Sequence, residues 1–157
     1  MTPAIEAAKK ARISFTIHQY RHDPASKSFG QEAVQALGLA PERVFKTLIA
    51  SADGDRARLV VAVIPVDKHL DLKALAGVVG AKRMAMADEA DAERTTGYVV
   101  GGISPLGQRK RLPLVLDESG LRYETIYVSA GRRGLEIELA PNDLLKLSAG
   151  KPAPIAR

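Results

Sequence analysis

The chain has 157 residues and a mass of 16.8 kDa, with 46% hydrophobic and 26% charged residues, and its 23 Lys+Arg against 18 Asp+Glu give a net charge of +5 and a pI near 9.6. That length and apolar content exclude intrinsic disorder and describe a domain burying roughly two thirds of its unfolded surface, while the lack of cysteine excludes disulfides and a thiol nucleophile of the protein's own. Aromatic residues at 4%, with no tryptophan, argue against a base-stacking platform, whereas the cationic excess favours an anionic partner.

In chain order, Thr2 caps and Pro3 opens a helix in which Ile5, Ala8 and Ala11 recur at helical spacing to about Arg12. Residues 13–20 alternate, with Ile13, Phe15 and Ile17 on one face and Ser14, Thr16 and His18 on the other, which predicts a half-buried strand. After a loop at His22-Asp23-Pro24, Ser28 and Gln31 form a capping-box pattern for a short helix through Ala33, Val34 and Leu37 that Gly38 stops. Residues 44–50 and 59–64 are β-branched, apolar runs on either side of Ala52-Asp53-Gly54-Asp55, which predicts a hairpin. Asp71 caps a helix of Leu72, Leu75, Ala76 and Val79 ending at Gly80, a short strand covers 83–86, and Asp88 caps a further helix to about Arg94. The second half is more strand-like, with runs at 98–100, 112–117, 123–129 and 135–139, then a closing helix at 141–147.

Irregularly mixed helices and strands with hairpin-length links predict an α+β domain on one mixed sheet. One domain is expected over 1–150, with 151–157 as a loose tail. The longest apolar run, 59–65, is far short of the ~20 residues of a membrane helix. Met1-Thr2-Pro3 opens no basic, apolar leader, so no membrane association and a cytoplasmic location are expected.

Little in the inventory advertises an ordinary hydrolase or a cofactor. His18 and His22 fall in a strand and a loop, where four-residue spacing does not converge side chains, so no metal site is expected; Gly-x-Ser-x-Gly is absent as well. Alternation does place Lys46 on the face of Val44, Leu48 and Ala50, where its ammonium must snorkel, pair or meet an anionic ligand; a lysine guarding a strand edge is the plain alternative. The segment Gly97-Tyr98-Val99-Val100-Gly101-Gly102-Ile103-Ser104-Pro105-Leu106-Gly107 matches neither the Walker nor the dinucleotide pattern. Its paired glycines either present backbone N–H groups to a carbonyl oxygen or phosphate or make a turn stiffened by Pro105. Ser129-Ala130-Gly131 is a second small-residue turn. Arg109-Lys110-Arg111 and Arg132-Arg133 stand beside these two turns; each alone reads as solvated charge, and together they would ring one cleft with phosphate-binding groups. Glu136 and Glu138 alternate outward from Leu135, Ile137 and Leu139, as either a solvated face or a site would require.

Val44-Phe45-Lys46-Thr47-Leu48, the glycine segment from Thr96 to Gly107, and Ile126-Tyr127-Val128-Ser129-Ala130-Gly131 together closely resemble the YbaK family of aminoacyl-tRNA deacylases. Thr2-Pro3-Ala4, Ile13-Ser14-Phe15, His22-Asp23-Pro24, Phe29-Gly30 and 135–139 fall in the family order, so the resemblance spans nearly the whole chain. It implies a strongly curved mixed β-sheet with flanking helices. It also implies a free-standing factor that clears cysteine from mischarged proline tRNA, related to the editing domain of bacterial prolyl-tRNA synthetases, with the substrate's own thiol attacking the ester.

Carried onto this sequence, the resemblance implies that Lys46 holds the phosphate or ribose region of the tRNA acceptor end and that the Gly101 and Gly102 amides stabilise charge on the carbonyl oxygen. Phe29, Thr47, Ile103, Ser104 and Ser129 would line the amino-acid pocket, Tyr20 would reach the substrate amine or ribose, and Arg109, Lys110, Arg111, Arg132 and Arg133 would meet tRNA phosphates. No cofactor or metal is implied, and prolyl-tRNA synthetase is the implied transient partner. Glu136 stands where relatives usually carry aspartate, one methylene shorter. A sister branch that clears alanine follows the lysine with asparagine and uses a histidine near the strand turn, where this chain has Thr47 and Ser129. A broader deacylase, or a non-catalytic tRNA- or synthetase-binding module, is the competing reading.

Overall fold

In the computed structural model, which describes residues 1–157, the Thr2 hydroxyl accepts the Ile5 amide at 3.2 Å and starts α1 (Pro3–Lys10). The chain then divides its strands between two sheets. The first is antiparallel, in the order β1 (Phe15–Gln19), β7 (Leu135–Leu139), β6 (Ile126–Arg132). The second is mixed, in the order β4 (Met84–Met86), β2 (Phe45–Ala52), β3 (Asp55–Pro65), β5 (Leu114–Asp117), β8 (Lys151–Ala153), with β3–β5 and β5–β8 parallel. The α+β class holds, but two sheets replace the single expected one. An isolated parallel bridge between Val44 and Tyr127 joins them.

The hairpin forms where the sequence places it, because Asp53 and Gly54 both adopt positive φ between β2 and β3. Helices α2 (Phe29–Leu37), α3 (Leu72–Val79) and α4 (Glu89–Thr96) each end on a left-handed glycine, Gly38, Gly80 and Gly97. Asp71 caps α3 by accepting the Ala74 amide at 2.9 Å. Ser28 and Asp88 stand at the cap positions of α2 and α4 without making the side-chain bond that the capping pattern predicts. The last helix, α5 (Pro141–Ser148), closes over the main core, which β1, β6 and β7 share with alternate residues of β2 and β3.

Two further expectations are corrected. Residues 98–100 are not a strand, because the Tyr98 hydroxyl donates to the Leu106 carbonyl at 2.6 Å and the Val100 amide to Glu93 Oε2 at 2.8 Å, which curls the segment back on itself. The tail is not loose: 151–153 form β8, Ile155 is fully buried, and Asp117 Oδ1 accepts the amides of Ile155 and Ala156, each at 3.0 Å. His69 and Arg157 then exchange main-chain hydrogen bonds at 2.9 and 2.8 Å.

Candidate active site

A cavity of about 450 Å³ lies between β2, the start of α2, the glycine segment and the β6–β7 pair. Residues 45–49 of β2 all line it, although alternate side chains of a strand point to opposite faces, because the cavity opens against an unpaired strand edge. β4 pairs only with Ala50, Ser51 and Ala52. The Val66 amide donates to the Val44 carbonyl at 2.8 Å, which turns the hydrogen-bonding groups of Lys46 and Leu48 toward β3 and those of Thr47 toward the open edge, while the Ile49 carbonyl on that edge accepts the Ala87 amide at 3.0 Å.

Lys46 is half-buried in this wall, and its ammonium takes part in no ion pair or hydrogen bond with the protein. Burial lowers its pKa below the usual ammonium value, with the charge of Asp67 opposing that shift. An uncompensated cation in a cavity wall invites an anionic ligand. Beside it, Thr47 Oγ1 is buried without a hydrogen-bond partner, while Ser129 Oγ accepts the Gly131 amide at 3.2 Å.

Across the β6–β7 ladder Ser129 pairs with Glu136. Glu136 is 7% exposed and lines the cavity, so the outward, solvated placement that alternation allowed is not its position. Burial pushes its carboxyl up to about 8. Its neighbour on that face, Glu138, is engaged elsewhere, accepting from Thr125 Oγ1 at 2.6 Å and contacting His18 Nε2 at 2.9 Å. Tyr20 also lines the cavity; burial first, then the charge of Glu136, pushes its hydroxyl up to about 12, so it stays protonated and able to donate.

The glycine segment contributes Val100, Gly101 and Ile103. Gly101 has φ +90°, and a Cβ there would stand 2.7 Å from both the Phe29 ring and Arg133 Nε, so only glycine fits. Its amide hydrogen bonds to no group of the protein. Gly102 differs: its amide donates to the Val99 carbonyl at 2.8 Å and it packs on the Arg132 backbone, so it closes a turn and presents no donor. Ser104 is fully buried outside the cavity, where its hydroxyl accepts the Leu106 amide at 3.2 Å.

Phe29 lines the wall from the first turn of α2. The two basic clusters do not ring one cleft. Arg132 lines the cavity, Arg133 lies over Phe29, and Arg111 donates to the Leu147 carbonyl at 2.8 Å beside a separate cavity under α1 and α5. Arg109 turns to the Arg94 carbonyl, and Lys110 lines neither cavity. Sequence reasoning missed Lys27, Met86 and Glu89, which also line the site. Lys27 sits in a loop one residue before the helix cap, where no periodicity marks it.

A small cavity bearing an unpaired cation, the unpartnered Gly101 amide and a buried carboxyl, with hydroxyls that are hydrogen-bonded to no base, can position a polar ligand and holds no hydroxyl activated as a nucleophile. The aminoacyl-tRNA editing domain family matches residues 22–147, and the chain belongs to that family; it is an aminoacyl-tRNA deacylase. It is 45% identical over 154 residues to a candidate Cys-tRNA(Pro)/Cys-tRNA(Cys) deacylase, EbsC, of Enterococcus faecalis, covering 98% of this chain and 92% of that one. It is 30% identical over 120 residues to the multifunctional Ser/Thr-tRNA deacylase ProXp-y of Escherichia coli, covering 74% and 72%. The crystal structure of a candidate trans-editing enzyme for prolyl-tRNA synthetase shares the fold, with a TM-score of 0.79 at 22% identity over 100% of this chain and 99% of that one.

Proposed function

We propose that this deacylase removes cysteine wrongly attached to proline tRNA, in trans and in the cytoplasm, by letting the substrate thiol do the chemistry. The observation that carries the reading is the Lys46–Gly101 cavity itself, which has a cation and an amide donor to spare but no hydroxyl hydrogen-bonded to a base. The cysteinyl sulfur attacks its own ester carbonyl, the new C–S bond forms as the ester C–O bond breaks, and the thiol proton ends on the ribose hydroxyl that leaves. A cyclic thiolactone departs. Such an intramolecular attack needs orientation, which is worth ~7–11 kcal/mol of barrier.

In this scheme Lys46 and Arg132 hold the acceptor-end phosphate and ribose, and the Gly101 N–H meets the charge developing on the carbonyl oxygen. Phe29, Thr47, Ile103 and Ser129 enclose the amino-acid side chain. Glu136 faces the α-amino group, and Tyr20 donates to the ribose. Prolyl-tRNA synthetase is the partner that delivers the tRNA, a role supported by the shared fold of a trans-editing enzyme for that synthetase.

The similarity to ProXp-y supports a second reading, release of serine or threonine. A deacylation panel of cysteinyl, alanyl, seryl, threonyl and prolyl esters on proline tRNA separates them. Cysteine is expected to leave fastest; preferred release of serine or threonine overturns the first reading in favour of the second.

A further inference from the structure

The Val100–Gly101 peptide is held from outside the cavity. Arg133, on the turn between β6 and β7, donates from Nε to the Val100 carbonyl at 3.1 Å and from Nη2 to the same oxygen. Its guanidinium carbon lies 4.5 Å from the centroid of the Phe29 ring. Glu93 of α4 takes the Val100 amide at 2.8 Å, so residue 100 is pinned at both its donor and its acceptor. Gly101 fits beneath this arrangement only because it has no side chain.

A trans peptide makes the consequence geometric. The Val100 C=O and the Gly101 N–H belong to one planar unit and point in opposite directions, so fixing one aims the other. Arg133 does not line the cavity and Gly101 does. With the carbonyl held by Arg133, the N–H of Gly101 points away from that side chain and has no protein acceptor. A cation bonded to the carbonyl also polarises the peptide and strengthens its N–H as a donor.

We infer that Arg133 is a positioning residue, which aims the Gly101 amide at the reacting carbonyl and braces it against Phe29, and is not a phosphate contact. This rests on the deacylase mechanism proposed above. Lysine cannot substitute, because a point charge on a flexible stem neither stacks flat on a ring nor presents two donors to one oxygen.

The test compares Arg133→Lys and Arg133→Gln with wild type and with Arg132→Gln. For both Arg133 variants kcat on cysteinyl-tRNA is expected to fall about a hundredfold, the scale of loss when a reacting group is slightly misplaced. The KM for tRNA and its salt dependence should stay at wild-type values, and Arg133→Lys should not rescue. Amide exchange over 97–103 in the substrate-free protein should quicken in both, with an unchanged thermal midpoint. Arg132→Gln should instead raise KM and flatten the salt slope by roughly 0.7–0.9. A rise in KM with a flatter slope in Arg133→Gln, full rescue by lysine, or unchanged exchange over 97–103 overturns the inference. If the wild type cleaves no aminoacyl-tRNA, the proposed function falls while the exchange measurement still decides whether Arg133 holds the loop.

Discussion

Ser129 and Glu136 are direct cross-strand partners on β6 and β7, and both face the same cavity. The pairing places a carboxyl in a wall that no cation neutralises by direct contact, and burial alone raises it from 4.5 to about 8. The folded protein therefore keeps a proton that the unfolded chain has released between about pH 4.5 and 8, and stability falls as pH rises through that window. Glu136→Gln removes the titration. Melting both proteins from pH 5 to 9 should show the wild type losing ground to the variant as pH rises; parallel curves would mean that the carboxyl is not desolvated.

Lys46→Ala should lower kcat/KM about ten- to a hundredfold, the value of one charge-assisted hydrogen bond, while leaving stability within about 1 kcal/mol. Thermal melting and turnover need to be measured on the same preparation. A variant with near wild-type turnover would return Lys46 to the role of a lysine guarding a strand edge.

The leaving product separates thiol-assisted cleavage from ordinary hydrolysis. Cysteinyl-tRNA should be cleaved more than about a hundredfold faster than seryl-tRNA, a ratio that pocket fit does not supply for such near-isosteres. S-methylcysteinyl-tRNA, whose sulfur has no proton to lose, should be inert, and mass spectrometry should find the thiolactone from the cysteinyl substrate. Efficient release of S-methylcysteine would require an activated water instead.

Asp117 should matter as much to the fold as Lys46 does to the site. Its carboxylate accepts the amides of Ile155 and Ala156 and also the hydroxyl of Ser119, at 2.6 Å. Asp117→Ala leaves these donors without their acceptor and should cost about 2–4 kcal/mol in urea unfolding. Equal stability of variant and wild type would mean that water satisfies them.

Much of this was legible because it is local. Glycine caps, the Asp53-Gly54 turn and the alternation of Lys46 with Leu48 and Ala50 each depend on a few adjacent residues, and each stands in the structure as read. The failures are non-local. Nothing near residues 151–157 announces that a carboxylate 38 positions upstream receives their amides, and nothing near Tyr98 shows that its hydroxyl bonds to Leu106. The same limit governs the site. Lys46, Thr47, Phe29, Gly101, Ile103, Ser129 and Tyr20 do meet around one cavity, but adjacency to the glycine segment did not reveal that Arg111 lines a separate one. Nor did the pair Gly101-Gly102 show that one amide is spent within a turn.

The unpaired edge of β2 has a consequence for how such a pocket changes over time. A wall made of main chain meets atoms that every aminoacyl ester shares, and a side-chain substitution leaves those polar groups in place. In the proposed reading, choice among amino acids then rests with replaceable side chains such as Thr47 and Ile103. One scaffold can thus drift from one mischarged amino acid to another by exchanging those neighbours, with the frame that holds the ester left as it was.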